Sequence, residues 1–125
     1  MTVRVQLTDG PLPPITNPSY TEGSGAWIAF DGIVRPTEDG QHIVGLEYEA
    51  YRPMAEQQLE IIGHDLHEKH GLISMDIEHS FGFVPNFECS FRLIIESEHR
   101  KEGLVAMDEF IDRLKQDVPI WKRVK

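Results

Sequence analysis

Residues 53–77 read PMAEQQLEIIGHDLHEKHGLISMDI, and the hydrophobic period changes partway through them. Ala55, Leu59, Ile62 and Leu66 keep the i, i+3, i+4 spacing of an amphipathic helix, which Pro53 can begin and Gly71 can end. From Ile73 the apolar residues fall at every second position, Ile73, Met75 and Ile77, which is the period of a strand. Cys89, Phe91, Leu93 and Ile95 repeat that period, so they form the antiparallel partner across the turn GFVPNFE. A second helix follows His99 and Arg100, with the stripe Leu104, Met107, Ile111 and Leu114 and with Phe110 beside it. Pro119 stops it, and a residue before proline, here Val118, is biased to an extended conformation.

Upstream, Val3, Val5 and Leu7 alternate as a short strand, and the proline- and glycine-rich stretch DGPLPPITNPSYTEGSG reads as an irregular connection. The run AWIAFDGIV, residues 26–34, is apolar on both faces apart from Asp31. That pattern predicts a buried central strand, with Gly32 placed for a bulge. After the turn signal PTEDGQH, the alternating Val44, Leu46 and Tyr48 would complete a hairpin with it. The order β, β-hairpin, α, β-hairpin, α contains no repeat, and it predicts an α+β fold of two helices on a mainly antiparallel sheet. One domain over residues 1–125 accommodates all of it.

With 40% hydrophobic and 26% charged residues, the composition is that of a globular protein. No apolar run approaches the length of a membrane span, and MTVRVQLTDG lacks a signal-peptide pattern, so a cytoplasmic location is expected. The lone Cys89 lies in an apolar alternating run and reads as a small buried hydrophobe. A net charge of −9 argues against nucleic acid as a partner. The charge is unevenly spread: residues 1–99 carry five Lys/Arg against sixteen Asp/Glu, whereas residues 100–125 carry seven against five. A local cationic focus on an acidic chain points to a small anion bound in one place.

Several cations have positions that could serve such a site. At 100° per residue Lys115 falls about 40° from Ile111, on the edge of the apolar stripe. Its stem either packs on the core with the ammonium in solvent, or it points into a cleft where it could act as acid, base or nucleophile. Lys122 follows the stiff segment Pro119, Ile120 and Trp121, whose large apolar side chains can anchor it. His99 and Arg100 stand where a strand hands over to a helix, as an anion site or an ordinary cap. Arg35 ends the apolar strand before the proline turn.

His64, His67 and His70 recur at three-residue intervals on the first helix. No thiol or zinc-type spacing accompanies them, and they read as a solvated face with no metal. His79 has no partner visible in the sequence. The chain has no nucleophile-elbow motif, glycine-rich phosphate loop or dinucleotide fingerprint.

FDGIVRP, LEYEAYRPMAE, the pair in SEHR, and LKQDVPIWKR together resemble the MoaE family, the molybdopterin synthase large subunit, in register from about Gly25 to Arg123. Lys115, Pro119, Trp121 and Lys122 carry the strongest part of the pattern, with Arg35, His99 and Arg100 in support. The resemblance implies an α/β-hammerhead-like fold and a homodimer within a heterotetramer. Each large subunit would take a small β-grasp sulfur-carrier subunit whose C-terminal Gly-Gly thiocarboxylate donates sulfur to cyclic pyranopterin monophosphate. It implies no cofactor.

On that resemblance Lys115 is the central catalytic group, and Lys122 supports the same negative charge. Arg35, His99, Arg100 and Arg123, with the backbone of Ile33 and Val34, would hold the substrate. Ser80 stands where the family usually has arginine, Phe87 where it has a turn glycine, and Val124 where an acidic residue is common. Arg92 interrupts an otherwise apolar strand. A non-catalytic relative that binds a β-grasp partner, or a small-anion-binding domain, are the other readings of the same residues.

Overall fold

The computed structural model of the chain describes residues 3–125. Its central element is the long strand β6 (Ser74–Pro85), which pairs along one side with β7 (Cys89–Ser97) as the antiparallel hairpin expected from the alternation. Along its other side β6 changes partner. Residues 75–81 run parallel to β1 (Val3–Asp9), and residues 82–85 run antiparallel to β5 (Gly45–Ala50). Gly82 lies at that change with φ +81°, a backbone conformation that costs glycine little. The sheet is thus mainly antiparallel, with one parallel pair.

Two helices cover one face of it, α1 (Met54–His70) and α2 (Arg100–Asp117). Gly71 ends α1 in the left-handed region, and Val118 ends α2 in an extended one. The core between helices and sheet is built from Leu59, Ile62 and Leu66 of α1, Met75 and Ile77 of β6, Leu93 and Ile95 of β7, and Phe110 of α2. Each such side chain stabilises the fold by roughly 1.5–3 kcal/mol through its burial. Gly103 is what lets α2 approach closely, since a Cβ there would stand 2.7 Å from Ser97 Oγ and 2.8 Å from a methyl of Ile28.

Four expectations need correction. The apolar run of residues 26–34 forms β2 (Ala26–Ile33), which is an edge strand and not a central one: among the described residues it pairs only with β7, with a register shift between Gly32 and Ile33. It makes no hairpin with β5, because a two-stranded flap, β3 (Thr37–Glu38) and β4 (Gln41–His42), lies between them. Leu104 is 51% exposed, because the face of α2 that meets the sheet runs through Gly103, Ala106, Met107 and Phe110. Trp121 is 57% exposed, because its segment forms a strand whose outer side faces solvent. That strand, β8 (Ile120–Val124), pairs with β5 at the far edge and is absent from the sequence-based order.

Three of the four family departures, Phe87, Ser80 and Arg92, have defined surroundings in the structure. Phe87 occupies the turn after β6 with φ +72°, where a glycine would be unstrained. Ser80 is fully buried and donates to the Gly10 carbonyl at 2.6 Å. Arg92 is also buried. Its Nε stands 2.6 Å from Asp31 Oδ1 on β2, and it donates through Nη1 to the Pro13 carbonyl, which ties the irregular connection to the sheet.

Candidate anion site

At the C-terminal end of α2 the helix layer stops short of the sheet, and the gap is a cavity of about 400 Å³. Three separate segments bring a cation to it. Arg35 follows the bulge of β2, where Val34 N–H donates to the Glu88 carbonyl and the Val34 carbonyl accepts from Phe87 N–H. Lys115 lies in the last turn of α2, where the helix dipole favours a positive charge. Lys122 lies opposite Tyr48 in the β5–β8 ladder, and opposed residues share a sheet face, so both side chains line the cavity.

The remaining sequence candidates divide. Ile33, 49% exposed, and the buried Val34 line the cavity. Arg123 pairs with Glu47, on the opposite face of the ladder from Lys122, and lies outside it. His99 is the N-cap of α2 and Arg100 its first residue; both are exposed, with His99 Nδ1 3.6 Å from Glu102 Oε2. Fifteen residue steps separate Arg100 from Lys115 on one helix, about 22 Å at 1.5 Å per residue. One chain therefore does not bring this pair to the anion that Arg35, Lys115 and Lys122 could share. Lys115 is also exposed, and it lines the cavity.

The inner wall of the cavity includes residues that the sequence did not single out. His79 is 7% exposed on the same face of β6 as Met75 and Ile77, and burial lowers its basicity while a bond to the Ser80 carbonyl opposes that. Tyr48 meets it edge-on at 5.3 Å between ring centroids and donates its hydroxyl to Ser90 Oγ at 3.0 Å. Glu38 of the flap reaches Lys122, Oε1 to Nζ 3.5 Å. The period-2 count from Met75 does reach His79, so a signal for it existed. Nothing local in the sequence marks Ser90 or Glu38.

The histidines of α1 are not one solvated face. His64 is exposed, but His67 Nε2 is 3.4 Å from the Ile73 carbonyl and His70 Nε2 is 3.0 Å from Glu109 Oε1 on α2. Among the described residues no helix is long and apolar enough to cross a membrane.

Comparison with known proteins adds a family. Residues 12–117 match the family described as MoaE protein. A relative in Bacillus subtilis named molybdopterin synthase catalytic subunit is 42% identical over 100 residues, which cover 80% of this chain and 64% of that protein. The chain spans about half the length of mammalian relatives with the same name, 50% in rat and 53% in human. Among solved structures, molybdopterin synthase from Staphylococcus aureus superposes with a TM-score of 0.82 at 35% identity, over 94% of this chain and 89% of that one. A protein-protein complex of subunits 1 and 2 of molybdopterin-converting factor from Helicobacter pylori gives 0.76 at 25% identity, over 96% and 83%.

Proposed function

This chain belongs to the MoaE family, and from that premise we propose that it is the catalytic subunit of a molybdopterin synthase. In this reading it transfers sulfur from the thiocarboxylated C-terminus of a small β-grasp subunit to cyclic pyranopterin monophosphate. The observation that carries the proposal is the meeting of Arg35, Lys115 and Lys122, from three distant segments, around one cavity. Both reactants are anions, and bringing two anions together requires cations fixed in advance.

The roles in this reading are those the family resemblance implies. Arg35, with the backbone of Ile33 and Val34, holds the phosphorylated substrate at the bulge. Lys115 assists proton transfer and stabilises the acyl intermediate formed between the small subunit's tail and the pterin, and Lys122 supports the same charge. The relative from Helicobacter pylori is described as a two-subunit complex, which favours a small partner here.

His99 and Arg100 need a second copy. In the homodimer of this reading they would serve the cavity of the neighbouring chain, since about 22 Å of helix keeps them from Lys115 in their own. An apolar edge strand supports association: β2 leaves one edge unpaired and carries Phe30 and Ile33 exposed. Such an edge is ordinarily covered or blunted.

Mixing the purified chain with a thiocarboxylated small subunit and the cyclic pterin tests the proposal, with dithiolene formation as the expected outcome. Complex formation without product would instead identify a binding module.

A further inference from the structure

His79 occupies a position that packing alone would fill differently. Met75 and Ile77 precede it on the helix-facing side of β6 and are almost fully buried, so the next residue on that face would be apolar if it only extended the core. A buried imidazole carries a desolvation cost for each ring nitrogen without a partner. Nδ1 lies 2.8 Å from the Ser80 carbonyl oxygen, which can only accept, so Nδ1 bears the proton. The neutral ring then has Nε2 as an acceptor; among the described residues no donor bonds it, and it is not sealed in the core, since His79 lines the cavity.

The surroundings define what could fill that role. His79 lines the cavity, with Tyr48 at 5.3 Å and Phe91 at 5.7 Å between ring centroids, and Phe30 stands 6.2 Å beyond Phe91. The cations Arg35, Lys115 and Lys122 and the acid Glu38 also line it. The cavity thus has an aromatic wall with a neutral imidazole acceptor as well as its cationic groups.

We propose that Nε2 of His79 accepts a hydrogen bond from a ring N–H or amino group of the bound heterocycle, so that the aromatic wall recognises the ring while the cations hold its phosphate. This inference rests on the function proposed above and extends it by assigning the ring a recognition residue. A planar heterocycle with an N–H edge suits flat aromatic neighbours and a single in-plane acceptor.

The test compares neopterin monophosphate with inorganic phosphate in equilibrium titrations of the full-length chain and its His79→Phe and His79→Gln variants. Phenylalanine keeps an aromatic ring and removes the acceptor. Neopterin monophosphate should bind about ten-fold more weakly to His79→Phe, the size of one lost hydrogen bond, while phosphate affinity stays within about two-fold. Glutamine restores an acceptor and should recover most of the loss, which a packing defect would not allow.

Equal affinity of all three proteins for neopterin monophosphate would overturn the inference, as would parallel loss of both ligands. A third overturning result is unchanged neopterin monophosphate binding with weakened binding of the small subunit's C-terminal peptide, since the acceptor would then serve the tail. Dithiolene formation by the unsubstituted chain, measured in parallel, reports on the proposed function independently of His79.

Discussion

Lys122 Nζ stands 3.5 Å from Glu38 Oε1, so a carboxylate of the chain itself already faces one of the three cations that line the cavity. An incoming anion must compete with it. The Lys122 side chain keeps 53% of its surface in water and Glu38 22%, so the competition is modest and sensitive to salt. Glu38→Gln should tighten binding of inorganic phosphate by about two- to five-fold at low ionic strength, with the difference shrinking as salt is added. Titrations at two salt concentrations measure both effects, and equal affinities at low salt would show that Glu38 does not shield the site.

The Arg92–Asp31 pair should respond asymmetrically to substitution. Arg92 is buried, whereas the Asp31 side chain keeps 34% of its surface in water. Asp31→Ala strands a buried guanidinium and should cost about 1–3 kcal/mol, less than a fully buried pair because water still reaches the site. Arg92→Leu leaves behind only a solvated carboxylate and should cost less. Denaturant unfolding of the two variants ranks them, and a larger loss for Arg92→Leu would contradict this account.

Two buried groups contribute to the acid limb of stability. The His79 imidazole is held below its ordinary value by burial, so between about pH 6.5 and its folded value the unfolded chain binds the extra proton. Its contribution is therefore complete above about pH 6.5 and declines as pH falls below it. Burial pushes the Glu96 carboxyl up, but hydrogen bonds from Thr21 and Ser74 outweigh that and hold it below the usual range. Its contribution is present above about pH 4.3 and is lost as pH falls through the folded value. In urea unfolding against pH, His79→Phe should flatten the first decline and leave the second. An unchanged first decline would mean that other histidines cause it.

The separation of Arg100 from Lys115 makes subunit mixing informative. Arg100→Ala and Lys115→Ala chains should each be inactive alone. A mixed dimer restores one intact site of two, so an equal mixture should regain about a quarter of full activity. Differential tags establish that chains have exchanged. Mixed dimers without activity would mean that Arg100 does not act on its neighbour's cavity.

The sequence carried the period change after Gly71, and with it α1, the β6–β7 hairpin and the alternation that buries Met75, Ile77, Leu93 and Ile95. It misassigned β2, because apolar residues on both faces signal burial without saying what buries them; in one chain that strand is an edge. Strand β8 was obscured by its length and by Lys122 and Arg123, whose charges hide an alternation that only pairing with β5 reveals. Arg35, Lys115 and Lys122 were legible as a group through motif resemblance, and their convergence depends on long-range register. The distance of His99 and Arg100 follows from helix length alone, since they stand at the opposite end of α2 from Lys115. The alternation from Met75 put His79 on the buried face of β6, but its meeting with Tyr48 and Ser90 in the cavity depends on cross-strand neighbours, which no local window contains.

In the proposed function, sulfur transfer takes place at the cavity ringed by Arg35, Lys115 and Lys122. Single-turnover dithiolene formation by the assembled complex tests it, comparing the unsubstituted chain with Lys115→Ala while small-subunit binding is monitored. The rate should fall by at least about a hundred-fold with the complex intact. A Lys115→Ala rate within about two-fold of the unsubstituted chain would locate the chemistry elsewhere.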